Sequence, residues 1–159
     1  MKKPPGAEKG FRLFGILSVS PIEDDHVFLT KIFSNHGVCT QCTESKRALY
    51  TSSTLAAAQL ILRDHRIAVV LYDSDSMPVT YRTMLECLVV LPDTPLLIVT
   101  SRFADEKLWV EALNLGAYDL LAKPFRRNEV VWSITSAWLH WNDLHDIPAK
   151  TTQVMKAAG

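Results

Sequence analysis

The stretch that most constrains the fold is residues 67–78, with the sequence IAVVLYDSDSMP. Its first six residues show no polar alternation and are rich in β-branched side chains, which is typical of a strand buried on both faces in the middle of a parallel sheet. Asp73, Ser74, Asp75 and Ser76 follow at the carboxyl end, where open α/β sheets bind their ligands. Carboxylates there suit cation or phosphoryl chemistry. On this segment alone, simple solvation of a loop explains them equally well.

Strands and helices alternate along the whole chain with short connections. Apolar runs predict strands at residues 11–19, 48–52, 67–72, 96–99 and 118–122. Helical spacing and capping residues predict a helix that begins near residue 23 and stops at 35–37, followed by helices at 55–65, 81–91, 105–115 and 128–141. This alternation indicates an α/β domain with a doubly wound, five-stranded parallel sheet and right-handed crossovers. We expect a disordered leader at 1–10, one domain at 11–141 and a C-terminal tail at 142–159.

Composition excludes several classes of protein. Lys and Arg together number 17, and so do Asp and Glu, so charge gives no indication of a nucleic-acid surface. No run of about 18 apolar residues is present to cross a membrane. The opening MKKPPGAEKG lacks the apolar segment of a signal peptide. We therefore expect a cytoplasmic protein with reduced thiols.

Polar residues follow four of the predicted strands. Ser20 follows the first, Asp73 the third, Thr100 the fourth and Lys123 the fifth. With strand order 2-1-3-4-5, these ends converge on one crevice. A carboxylate, a hydroxyl and an ammonium that meet there would suit an anion bonded to the carboxylate, because the hydroxyl and the ammonium can bind its oxygens.

The segment PLLIVTSRFADEKLWVEALNLGAYDLLAKPF, residues 95–125, resembles the receiver domain of two-component response regulators. The resemblance covers roughly residues 12–141 and implies the flavodoxin-like receiver fold. It also implies that Asp73 is the phosphoacceptor, that Thr100 contacts the phosphoryl group and that Lys123 pairs with it. Lys123-Pro124 resembles the family's cis peptide. The implied donor is a histidine kinase or a phosphotransfer protein, Mg²⁺ is the implied cofactor, and a downstream protein is the implied receiver of the signal.

The sequence departs from the family at the metal site. Ser20 and Pro21 occupy the positions of the acid pair that holds Mg²⁺ in the family, and neither is a good ligand. Asp73 and Asp75 then leave only a weak magnesium site. We expect the acids at 23–25 to reach the site only if their helix starts differently.

Two further departures concern the switch and the acceptor. Leu120 stands where the family has its aromatic switch residue, so a ring movement cannot report phosphorylation. In the family, the acceptor stands three residues before a Met-Pro pair. Counted back from Met77-Pro78, that spacing would make Ser74 the acceptor. Alignment from the amino-terminal side favours Asp73, and a serine carries no carboxylate.

Tryptophans and cysteines allow further interpretations. Trp138 and Trp141 share a helix face with Val131 and are expected in the core, whereas Trp132 points about 100° away from Val131 and is expected to be exposed. A homodimer through the last two helices is an alternative to core packing for these rings.

Cys39 and Cys42, with His36 nearby, have the spacing of half a zinc site. No fourth ligand is near, so incidental thiols are the preferred interpretation.

Two functions follow from these observations. The first is a single-domain receiver, not an enzyme, that is phosphorylated on Asp73 and signals by binding another protein. The alternative is a pseudo-receiver that binds partners without phosphorylation because the acid pair is missing. An enzyme of the flavodoxin-like or nucleotide-binding kind is a remote third, since residues 20–25 contain no glycine-rich phosphate loop.

Overall fold

The computed structural model describes residues 14–34 and 47–146, in which strands and helices alternate. The strands are β1 (Phe14–Val19), β2 (Arg47–Ser52), β3 (Ile67–Asp73), β4 (Leu96–Ser101) and β5 (Asp119–Ala122). The helices are α1 (Glu23–Ser34), α2 (Leu55–Asp64), α3 (Tyr81–Val89), α4 (Glu106–Leu115) and α5 (Arg127–Asp146). The predicted leader at 1–10, the tail beyond Asp146, and His36, Cys39 and Cys42 lie outside the described residues.

The five strands form one parallel sheet in the order β2-β1-β3-β4-β5, which confirms the predicted fold class and strand order. β3 lies in the middle, and all of its residues are buried, as the unbroken apolar run predicted. The register pairs Asp73 of β3 with Thr100 of β4, and Ser101 of β4 with Ala122 of β5. The polar residues at the carboxyl ends of these strands therefore lie side by side.

Local capping chemistry sets the helix ends. Thr54 accepts a hydrogen bond from the Ala57 N–H at 3.2 Å, and Asp105 accepts one from the Leu108 N–H at 2.8 Å. Gly116 ends α4 with a φ of 114°, a left-handed conformation that favours glycine. α5 continues past the predicted end at residue 141, and in its last turn the His145 Nδ1 lies 3.7 Å from an Asp93 carboxylate oxygen.

Helices cover both faces of the sheet and create two apolar layers. α1 and α5 cover one face with Leu29, Ile32, Val130, Ile134, Trp138 and Trp141, whereas α2, α3 and α4 cover the other with Ala58, Leu62, Met84, Leu88 and Ala112. Trp138 and Trp141 are buried, and Trp132 is 74% exposed, so the predicted division of the α5 tryptophans is confirmed. Within the two described ranges, no helix is long and apolar enough to span a bilayer.

Gly15 marks a close approach at the start of β1, beside the irregularity in its pairing with β3. A Cβ atom at this position would lie 2.6 Å from Ile67 Cδ1 and 2.7 Å from Tyr50 Cε2. These distances are far below van der Waals contact, and β1 is packed between two strands. A side chain at this position would therefore have to displace the side chains of Ile67 and Tyr50.

We predict that Gly15→Ala lowers the free energy of unfolding by about 1–3 kcal/mol, because the added methyl overpacks the core. Denaturant unfolding measures the change. The double variant Gly15→Ala/Ile67→Val should lose less free energy of unfolding than the two single variants lose together. Valine lacks the Cδ1 methyl that the new Cβ would meet. Simple additivity in this cycle would show that the close approach of Ile67 does not explain the glycine.

Candidate functional site

Asp73 is the last residue of β3 and forms the centre of a polar cluster at the carboxyl edge of the sheet. It is only 1% exposed, and its Oδ1 accepts hydrogen bonds from the Lys123 ammonium at 3.0 Å and from the Asp75 N–H at 3.2 Å. Its Oδ2 accepts one from the Ser76 N–H at 3.1 Å. A buried carboxylate requires this kind of compensation, because burial of an unpaired charge is very costly.

Lys123 reaches Asp73 from the end of β5. Its backbone N–H donates to the Ser101 carbonyl at 2.9 Å, and the Lys123-Pro124 peptide is cis. The ammonium has a second carboxylate partner, Asp25, whose Oδ2 lies 2.5 Å from Nζ. Lys123 is thus held between two acids, from α1 and from β3, and is itself buried.

Asp25 lies in the first turn of α1, and Ser20 orients it. The Ser20 hydroxyl donates to Asp25 Oδ2 at 2.8 Å and accepts the Ile22 N–H at 3.1 Å. The neighbouring His26 donates from Nε2 to the Ser20 carbonyl at 2.8 Å, which secures the same turn. The helix dipole also favours a carboxylate at this end of a helix.

The hydroxyls beside Asp73 bond to main-chain carbonyls. Thr100 Oγ1 donates to the Tyr72 carbonyl over a long 3.4 Å, and Ser74 Oγ donates to the Thr100 carbonyl at 3.1 Å. The Thr100 bond is weak enough to exchange for a better acceptor. Ser74, the alternative acceptor that the spacing to Met77-Pro78 would predict, bonds to the backbone of β4.

Asp75 does not contact the Lys123 ammonium with its side chain. It connects the loop after β3 to the end of β4 and the loop that follows β4. Its carboxylate accepts the Ser101 hydroxyl at 2.6 Å and the Arg102 N–H at 2.7 Å, and the Arg102 Nε lies 3.8 Å away. The Ser101 hydroxyl in turn accepts the Phe103 N–H at 2.9 Å. The role of Asp75 as a weak magnesium ligand stays a prediction. Both of its oxygens have partners, one in Ser101 at the end of β4 and one in Arg102 of the following loop.

Tyr72 secures the loop after β3 from the other side of the strand. Its hydroxyl donates to the Val79 carbonyl at 2.5 Å. Burial, with a smaller contribution from the charge of Asp73, raises the pKa of the Tyr72 phenol to about 12. The phenol therefore stays a hydrogen-bond donor throughout the physiological pH range.

The residues present do not fit a magnesium ion as they are arranged. Mg²⁺ prefers oxygen ligands at about 2.0–2.1 Å in a near-octahedral shell. Asp25 and Asp73 are carboxylate ligands of the right kind, but the oxygens that they turn toward each other are bonded to the Lys123 ammonium. Across residues 14–34 and 47–146, no three His, Cys, Asp or Glu side chains form a group able to hold a metal.

The sequence predicts that Asp73, Thr100 and Lys123 lie in one crevice, and the structure places them there. Asp25 was expected to reach the site only if its helix began differently. α1 begins at Glu23, as predicted, and Asp25 still reaches the ammonium because its carboxylate turns back toward Ser20. The sequence pattern that could have predicted this contact is a serine followed five residues later by an acid in the first turn of a helix.

Several solved structures with a similar arrangement of strands and helices are receiver domains. The receiver domain of an HD domain-containing protein from Pseudomonas fluorescens Pf-5 superposes with a TM-score of 0.68 and 21% identity over 83% of this chain and 99% of that one. The receiver domain of a putative LuxO repressor protein from Vibrio parahaemolyticus superposes with a TM-score of 0.71 and 13% identity, over 86% of this chain and 97% of that one. The chain has the receiver fold.

A third similar structure is the beryllofluoride-activated NtrC4 receiver domain dimer, with a TM-score of 0.66 and 22% identity over 80% of this chain and 98% of that one. No protein-family model matches the sequence, and no curated protein matches it either. The receiver fold is therefore established by structure, at sequence identities that say little about individual residues.

We predict that Asp75→Ala lowers the free energy of unfolding by about 1–3 kcal/mol, because it leaves the Ser101 hydroxyl and the Arg102 N–H without their acceptor. Hydrogen exchange should also become faster at the amides of Arg102 and Phe103. Asp64→Ala is the control, since that carboxylate pairs with Arg63 in solvent and its loss should change little. Unchanged exchange at Arg102 in Asp75→Ala would contradict the assigned contact.

Proposed function

We propose that this chain is a signalling receiver of a phosphorelay, not an enzyme, and that it accepts a phosphoryl group on Asp73 from a histidine kinase or phosphotransfer protein. The observation that carries the proposal is the 3.0 Å contact between the Lys123 ammonium and Asp73 at the carboxyl end of β3. The proposal includes the cytoplasmic location that the sequence indicated and a downstream protein as the recipient of the signal.

The proposed chemistry is a transfer between two nucleophiles. An oxygen of Asp73 attacks the phosphorus of a phosphohistidine, a P–O bond forms, the P–N bond breaks, and the histidine nitrogen leaves with the electron pair. Lys123 is placed to bind the oxygens of the phosphoryl group, since it already bonds to the attacking carboxylate. Thr100 can supply a second donor by giving up its long bond to Tyr72.

A specific observation favours the pseudo-receiver as a second candidate. Asp73 has almost no exposed surface, and its two oxygens together accept three hydrogen bonds. A phosphoryl donor can reach Asp73 only after the groups that cover its carboxylate move. A module that keeps this cluster intact and signals through partner binding alone would need no such movement.

We expect intact-mass analysis after incubation with acetyl phosphate to show one added phosphoryl group on the wild type. Asp73→Asn should show none, because an amide oxygen cannot be phosphorylated in this way. Ser74→Ala is the matched control and should be modified like the wild type. Parallel samples with MgCl₂ and with EDTA show whether transfer requires a divalent cation.

The alternatives give different masses in the same experiment. An adduct on Asp73→Asn that disappears in Ser74→Ala would move the acceptor to Ser74. Absence of an adduct from every sample, while circular dichroism shows folded protein, would contradict phosphorylation and support the pseudo-receiver.

We also propose that a homodimer forms through α4 and α5. Trp109 on α4 is 47% exposed and Trp132 on α5 is 74% exposed, and exposed aromatic side chains are enriched at protein interfaces. The NtrC4 receiver domain, which has the same fold, is a dimer. Leu120 lies on β5, the strand that precedes α5, so a dimer would have to respond to the site without an aromatic switch.

Light scattering after size-exclusion chromatography tests the dimer. We expect the wild type to be dimeric at micromolar concentrations and Trp132→Ser to be monomeric, because loss of a buried aromatic anchor weakens an interface most. Val90→Ser removes an equally exposed apolar side chain near the end of α3 and should leave the mass unchanged. A monomeric wild type, or a dimeric Trp132→Ser, would contradict the proposed interface.

A further inference from the structure

The buried charges of the site form a group of three, and one of them, Asp25, has no role in the receiver resemblance. Asp73 from β3, Lys123 from the end of β5 and Asp25 from α1 meet with one ammonium between two carboxylates. The side chain of Lys123 is 5% exposed, and that of Asp73 is fully covered. Little solvent is present to screen the three charges, so they act strongly on one another.

Asp25 is built into this position. Its Oδ2 receives both the Ser20 hydroxyl and the Lys123 ammonium, at 2.8 Å and 2.5 Å. Ser20 stands where the resemblance would place the first acid of the metal-binding pair. The serine therefore does not replace that acid as a ligand; instead, it positions a carboxylate from the next turn of the chain.

We propose that the Lys123 ammonium, anchored by Asp25, is the built-in cation of this site, and that it takes the place of a divalent metal ion in the resting protein. Any cation that bound the facing oxygens of Asp25 and Asp73 would come into direct contact with the ammonium. Repulsion between a double and a single positive charge at such a distance opposes metal binding. Asp25 stabilises the ammonium in this buried position because it gives the ammonium a second carboxylate partner.

Asp75 offers no replacement site. Both of its carboxylate oxygens have partners, in the Ser101 hydroxyl and the Arg102 N–H. In the part of the chain that the structure describes, only Asp25 and Asp73 share the ammonium. The proposal concerns the resting site and holds whether or not Asp73 accepts a phosphoryl group.

Removal of the ammonium should create the metal site that the wild type lacks. In Lys123→Met the two carboxylates remain and repel each other, so we expect the variant to bind Mg²⁺ at least about tenfold more tightly than the wild type. Isothermal titration with MgCl₂ measures this directly. The unfolding temperature of the variant should rise when MgCl₂ replaces KCl at equal ionic strength, because a ligand that binds only the folded state stabilises it.

Matched variants separate a specific site from general ion effects. Lys123→Met combined with Asp25→Asn should bind Mg²⁺ no better than the wild type, because one of the two carboxylates is gone. The wild type should unfold at the same temperature in MgCl₂ and in EDTA with KCl, and this measurement stands even if Lys123→Met does not fold.

Two results would overturn the proposal. One is a wild type that binds Mg²⁺ with an affinity equal to that of Lys123→Met, or that is stabilised by millimolar MgCl₂. The other is a folded Lys123→Met that gains no affinity for Mg²⁺. Neither result depends on the phosphorylation experiment, which can succeed or fail independently.

Discussion

The buried ammonium of Lys123 is the interaction on which the carboxyl edge of this sheet depends. Charges removed from water lose several kcal/mol of solvation each, and only close, well-oriented partners compensate for the loss. Lys123 has two such partners, and each comes from a different part of the chain. Loss of one member of a buried pair typically costs about 3–5 kcal/mol, because the other charge is left uncompensated. The triad therefore ties α1, β3 and the end of β5 together in one network.

A second network lies beside the first and meets it at the main chain of Asp75. The Asp75 N–H donates to Asp73, while the Asp75 carboxylate holds the start of the β4–α4 loop. The same residue thus contacts the candidate acceptor with its backbone and the neighbouring loop with its side chain. Phe103, which is 72% exposed, follows directly in that loop. A change in the bonds of Asp73 has a short covalent and hydrogen-bonded connection to this surface residue, and the connection does not involve Leu120.

Much of the fold could be predicted because it depends on local patterns. The apolar run before Asp73 is too long and too continuous for an edge strand, and the alternation of strands and helices leaves few topologies. The convergence of Asp73, Thr100 and Lys123 followed from strand order alone. Asp25 could not be found in the same way, because its place depends on a side chain that turns back toward Ser20. The exposure of Trp132 beside the buried Trp138 is an intermediate case, since helix geometry separates their faces but cannot say what covers each face.

The position of Asp25 changes the balance of charge for any anion at the site. The resting triad carries two negative charges and one positive charge. A phosphoryl group on Asp73 would add negative charge and would compete with Asp25 for the same ammonium. A phosphorylated state must therefore weaken the contact between Lys123 and Asp25, or bring in further positive charge. In a pseudo-receiver that contact would persist, and the end of β5 would remain tied to α1. The strength of one ion pair, between Lys123 and Asp25, thus separates the two modes of action that the receiver fold allows here.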